Sequence, residues 1–180
     1  MKSLTVLMLC SAVALSACAT GGTVGGTPSQ RSYIITPEDA ANIQFRTLDS
    51  VNTLRSAKRL PPLTLNAQLN AAAATHSRDM SVQNRPWHFG SDGSSPLDRV
   101  RRVGYSGMLV GELISESYDT ELETLSAWME QPDTRAVVLD PAATDLGISW
   151  YQESNGKIWW TLITGRPAYP TPVIVPLTQG

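Results

Sequence analysis

The chain is poor in the residues that make small folds rigid by chemistry rather than by packing. It has two cysteines, Cys10 and Cys18, and two histidines, His76 and His88, in 180 residues. That is too few for a zinc ribbon or a disulfide scaffold. Neither sign of charge dominates: 14 basic side chains face 16 acidic ones, a formal net charge of -2. A dedicated nucleic-acid binder would carry a basic excess, so that class is excluded, and no nucleic-acid partner is expected. No apolar run reaches the roughly 20 residues of a spanning helix, which excludes a polytopic membrane protein. What the chain does have is a 42% hydrophobic composition with only 17% charged residues, enough for one globular core.

The first seventeen residues read as an address. Lys2 is followed by LTVLMLCSAVAL, Leu4 to Leu15, a positive start and a short apolar stretch as in a secretory signal. Leu15-Ser16-Ala17-Cys18 then resembles the lipobox of bacterial lipoproteins. That resemblance implies cleavage before Cys18 and acylation of Cys18, and two or more acyl chains give stable membrane anchoring. The expected place is the cell envelope, and the periplasmic face of the outer membrane if the host is Gram-negative. Cleavage would leave 163 residues with no thiol, so stability must come from packing. Residues 18–31, with the Gly/Thr-rich ATGGTVGGTPSQR, read as a tether. Four prolines within Arg166–Pro176 mark residues 167–180 as an extended tail. The folded unit is therefore expected over 32–166.

Within it, Thr36-Pro37-Glu38-Asp39 signals a helix start, with Ala41, Phe45, Leu48, Val51 and Leu54 as its apolar stripe and Pro61-Pro62 as its stop. A second helix is predicted from Asn66, with Leu65, Leu69, Ala72, His76 and Met80 on one face. A third runs from Ser95-Pro96 to Gly104, and a fourth from Thr120 to Glu130 with Leu122, Leu125, Trp128 and Met129 inward. Leu146–Gln152 and Lys157–Ile163 are β-rich and joined through Ser154-Asn155-Gly156, a hairpin signal. Helices first and a hairpin last make an α+β domain. Strand alternation puts Trp159 and Trp160 on opposite faces; core packing is the default reading for the tryptophans, and the alternative is that one of this pair is exposed to touch glycan or lipid.

Several pieces recur in a recognisable order: Asn52-x-x-Arg55 with Leu60-Pro61-Pro62-Leu63; Ala74-Thr75-His76-Ser77-Arg78-Asp79-Met80; Trp87-His88-Phe89; Asp92-Gly93 with Arg99; Gly104-Tyr105; Gly111-Glu112-Leu113-Ile114; Trp128-Met129; Gln131-Pro132-Asp133-Thr134-Arg135 with Leu139; and Leu146-Gly147-Ile148. This series resembles the CAP superfamily of cysteine-rich secretory, antigen 5 and pathogenesis-related 1 proteins, above all its short disulfide-free bacterial branch. The resemblance implies an α-β-α sandwich with a small antiparallel sheet between helices. It also implies a cleft of two histidines and two acidic groups that binds a divalent cation in some members. His88 matches the first histidine and Glu112 the acid of the Gly-Glu-Asn motif. Leu113 stands where that motif has Asn, and Thr134 where the second histidine stands.

The candidate cleft is thus His88, Glu112, His76 and Thr134, with His88 and Glu112 the candidate ligands for a weakly bound divalent cation. Three alternatives stay open. His88 and Glu112 hydrogen-bond each other and organise the loops around them, since a buried Glu needs a partner; or they hold a cation; or they act as acid and base of a cell-wall or peptide hydrolase. His76 reads first as a core residue on an apolar helix stripe, with Asp79 holding its ring or capping a loop. Hydrolase signatures are weak. Gly104-Tyr105-Ser106-Gly107 lacks a glycine of the nucleophile elbow, Ser154-Asn155-Gly156-Lys157 falls in a turn, and there is no H-E-x-x-H. The expectation is a lipid-anchored binding or structural module, with peptidoglycan, lipid or a protein as its partner, more than an enzyme.

Overall fold

A computed structural model describes residues 33–116 and 118–168. The signal and tether (1–31) and all but the start of the Pro-rich tail lie outside the described residues. The elements run α1 (Pro37–Ala57), β1 (Thr64–Leu65), α2 (Ala67–Gln83), α3 (Pro96–Arg102), β2 (Met108–Ser115), α4 (Glu121–Glu130), α5 (Pro132–Val138), β3 (Asp145–Gln152) and β4 (Ile158–Arg166). Among the described residues no helix is long and apolar enough to cross a membrane.

The helix starts follow local chemistry. Thr36, Ser95 and Thr120 each accept the N3 backbone N–H, while Asp39, Asp98 and Glu123 reach back to the cap, so three capping boxes open α1, α3 and α4. Asn66 accepts from the N–H groups of Gln68 and Leu69 and opens α2, whose end is turned by Asn84 in the left-handed region at φ 46°. Gln131 caps the C-terminus of α4 and the N-terminus of α5 at once. One extended residue therefore separates two helices where a single helix and a loop were expected.

The four strands form one sheet in the order β1-β3-β4-β2. The β3–β4 and β2–β4 pairs are antiparallel, whereas the two-residue β1 pairs parallel with β3. The expected hairpin is present, its turn made by Gly156 at φ 95°. β4 continues to Arg166, beyond its expected end at Ile163, so Gly165 and Arg166 belong to the sheet. Helices cover both faces. On one side Ile43 and Val51 of α1, Leu125 and Trp128 of α4 and Val138 of α5 pack on Leu113, Leu146, Ile148, Trp160 and Leu162. On the other, Leu69, Ala72 and Ala73 of α2 and Val100 of α3 pack with Ile163 and Tyr105. This is the three-layer α-β-α arrangement that the resemblance implied.

This layering decides one alternative and corrects two expectations. Trp159 and Trp160 point to opposite faces, and because each face is roofed by helices both indoles are fully buried, so core packing and not exposure describes them. In α1 the inward stripe is Ile43, Thr47, Val51 and Arg55, while Ala41 and Phe45 are exposed. In α4, Leu122 is exposed and its neighbour Glu121 is buried, paired with Arg46 at 2.6 Å.

Buried polar groups stitch the layers together. Asn52 receives the Leu63 N–H at 2.7 Å and donates to the Leu63 carbonyl at 3.0 Å. Arg55, wholly buried, donates to the carbonyls of Pro61, Val138, Asp140 and Ala143 at 2.9–3.2 Å. The Asn52-x-x-Arg55 and Leu-Pro-Pro-Leu pieces are thus two halves of one clamp. At the outer side of β3, beyond the end of β1, Asn70 accepts the Ile148 N–H at 2.8 Å and Gln44 donates to the Ile148 carbonyl at 3.1 Å.

Candidate functional site

Glu112 sits on β2 and points to the face covered by α2 and α3. Its side chain is 2% exposed, a costly place for a carboxylate unless it is paired. The partners come from three elements. From α3, the Nη2 of Arg99 donates to both carboxylate oxygens, at 2.8 and 2.7 Å. From the loop after α2, His88 Nδ1 lies 2.9 Å from Oε1. From α2 itself, His76 Nε2 lies 3.6 Å from the same oxygen.

Each partner is held in place by its own element. The short helix carrying Arg99 is fixed by the Ser95/Asp98 capping box. Arg99 is 3% exposed, and it also donates to the carbonyls of Ser94 (3.1 Å) and His88 (2.9 Å). It therefore ties the backbone of the histidine loop to the carboxylate that receives the histidine side chain. The same loop is pinned from α2. Asp79 accepts from the Ser91 N–H at 2.7 Å and from its hydroxyl at 2.6 Å, and Gln83 accepts from the Trp87 indole at 2.7 Å. Asp79 thus caps a loop, one of the two roles read from the sequence.

The electrostatics follow from this packing. Burial on its own would raise the Glu112 carboxyl, but the hydrogen bond from His88 and the charges of His76 and Arg99 outweigh it and hold the group below its ordinary 4.5. His76 is fully buried; desolvation, opposed by Glu112, brings it below its ordinary 6.5. The Trp87 backbone approaches its ring, yet neither ring nitrogen makes a regular hydrogen bond. With Glu112 ionised, Nδ1 of His88 is the donor in this contact, on a ring that is half exposed.

Three of the four sequence candidates, His88, Glu112 and His76, therefore meet. Thr134 does not join them: its hydroxyl donates to the carbonyls of Trp128 and Gln131 and closes the α4–α5 junction. Arg99 is the residue that reading the sequence for a site missed. It was visible only as one member of a motif. The usable signal was the requirement that a buried Glu have a fixed counter-charge. As arranged, no three His, Cys, Asp or Glu side chains among the described residues are grouped to hold a metal ion.

Beside this cluster the surface is aromatic and cationic. Trp87 and Phe89 flank His88 with ring centres 5.5 Å apart, and the Arg85 guanidinium lies 3.9 Å over the Trp87 ring. Phe89, at 47% exposure, is open to solvent.

The same fold is found in solved structures. An outer surface protein from Borrelia burgdorferi superposes with a TM-score of 0.66 at 15% identity, over 72% of this chain and 96% of that one. An extracellular protein containing an SCP domain from Bacillus anthracis gives 0.65 at 26% identity, over 74% of this chain and 44% of that one. In sequence, the uncharacterised protein YkwD of Bacillus subtilis is 27% identical over 130 residues, 72% of this chain. The chain spans about half the length of that curated relative. Residues 48–164 match the cysteine-rich secretory protein family, and with that match, this fold and these relatives, the chain belongs to the CAP family in its bacterial form.

Proposed function

We propose that this chain is a cell-envelope binding module that takes wall material against the His88 face without turning it over. The observation that carries this reading is the occupancy of Glu112: both oxygens are spent on Arg99 and one also on His88. A carboxylate held by three hydrogen bonds and 2% exposed offers little approach to a substrate, and no hydroxyl nucleophile is hydrogen-bonded to His88 among the described residues. The aromatic surface suits a ligand with apolar ring faces, such as the sugars of peptidoglycan, with Arg85 beside it for acidic groups. The envelope setting is supported by Leu15-Ser16-Ala17-Cys18, with Cys18 as the acylated anchor. It is supported also by two similar proteins described as outer-surface and extracellular.

The test is to incubate the full chain with isolated cell-wall sacculi and to follow protein in the pellet and muropeptides in the supernatant. Wild type should pellet with the wall and release nothing. His88→Ala and Trp87→Ala should pellet several-fold less while remaining folded, with only a small loss of stability. Muropeptides released by wild type but not by His88→Ala would make the protein a hydrolase. Protein that stays in solution would remove the wall as its ligand.

A further inference from the structure

We infer that Arg99 is the resident cation of this centre, standing on the Glu112 carboxylate in the place a divalent ion would need, so that the cleft works without metal. One buried carboxylate is already neutralised by one buried guanidinium, 2.7 and 2.8 Å from its two oxygens. A divalent ion added to that pair would leave two uncompensated positive charges in a pocket whose anion is 2% exposed, and burial makes such charges costly.

The donor count agrees. A zinc site wants three or four converging donors. Here the carboxylate is turned to Arg99, Nδ1 of His88 is a hydrogen-bond donor to it, and the Thr134 hydroxyl is spent on backbone carbonyls. That leaves Nε2 of His88, which points away from Glu112 because Nδ1 of the same ring is turned to it, and fully buried His76, whose nitrogens make no regular hydrogen bond; the two do not converge with a third donor.

The position of Arg99 is also built in rather than incidental. It is held at its far end by the Ser94 and His88 carbonyls, so its charge does for the His88 loop what a bound ion does in a metal centre: it draws a carboxylate and a loop to one point. The same geometry says what the substitution conceals. Without Arg99, a freed carboxylate would lie beside two imidazoles now 2.9 and 3.6 Å from it. The guanidinium is what keeps those three groups from being a ligand set.

The experiment uses the full chain as purified, zinc ion alone as the probe, and two readouts: bound metal after gel filtration and the melting temperature with and without chelator. Wild type should carry no stoichiometric zinc, and neither added zinc nor chelator should move its melting temperature. Arg99→Ala should melt lower than wild type, then take up one equivalent of zinc, on the order of 100-fold more tightly than wild type, with its melting temperature rising as it does. Arg99→Lys keeps the charge and should remain indifferent to zinc. One equivalent of zinc bound tightly by wild type overturns the inference. So does a folded Arg99→Ala that gains no affinity. If Arg99→Ala does not fold without metal, refolding it with and without zinc gives the same decision: rescue by zinc supports the inference and failure of rescue overturns it.

Discussion

Among the described residues two arginines are buried, and they are buried for different ends. Arg55, on α1, spreads its guanidinium over four main-chain carbonyls contributed by two stretches of chain, and none of its hydrogen bonds goes to a carboxylate. Arg99, under α2 and α3, gives two hydrogen bonds to a carboxylate and two to carbonyls. The first is a fastener: its planar fork matches dipoles fixed by the fold. The second is half of an ion pair that fixes where a histidine points. The difference shows in the surroundings. Arg55 lies beneath an apolar layer that includes Ile43, Val51, Val138 and Ala143, whereas Arg99 shares its layer with His76, Ser77, Thr161 and Glu112. One side of the sheet is devoted to cohesion, and the other carries the chemistry.

The comparison can be broken by removing each arginine's role in turn. Arg55→Ala takes the donor from four carbonyls, two of them fully buried, and its loss should be the largest, on the order of 4–5 kcal/mol in chemical unfolding. An effect under about 1 kcal/mol would show that water replaces it. Glu112→Gln keeps the shape but leaves Arg99 buried without its anion, and should cost about 3 kcal/mol. The same change is therefore a poor probe of activity, because lost function would follow from lost structure.

Acid should act on the Arg99 side alone. Both His76 and Glu112 have folded-state values below their ordinary ones, so both contribute stability at neutral pH that is lost on acidification. The loss begins below the ordinary histidine value of 6.5 as the unfolded chain gains a proton that buried His76 refuses, and it steepens below 4.5 through Glu112. Melting temperatures from pH 7.5 to pH 5 should therefore fall for wild type. The fall should be smaller in His76→Leu, and an unchanged slope would mean that His76 is not the group responsible. The smallest effect is expected at His88. Half-exposed and bound only through Nδ1, it should tolerate replacement by Ala at a cost below about 1 kcal/mol, measurable as a small shift in denaturant midpoint.

How much of this was legible in the sequence depends on the range of each interaction. Thr36, Asn66, Ser95 and Thr120 announced their helices because a cap is satisfied within three residues. The β3–β4 hairpin was readable for the same reason. β2 was not. Gly111 and Glu112 interrupt its apolar run, and its pairing partner β4 lies some fifty residues downstream. Gly111 is there because a side chain would drive into Val137 of α5, a contact no periodicity reports. α5 was hidden because Pro132 follows a helix after a single residue, which reads as a stop rather than a restart. In the site, His88 and Glu112 were found through resemblance, while Arg99 was passed over because its meaning lies in a partner on another element. Thr134 was carried into the site by alignment of motifs, but its hydroxyl serves the helix junction.

The side-chain pair at Ile148 has a consequence beyond local bonding. β1 is two residues long, so most of β3 would otherwise present unpaired backbone at an outer edge, a template for another strand to add onto. Gln44 and Asn70 fill that gap from two different helices, and at the opposite edge the Trp128 indole donates to the Ile114 carbonyl of β2. At each border a side chain thereby holds a backbone group that a further strand would need, so a copy of the domain approaching either edge would first have to displace it.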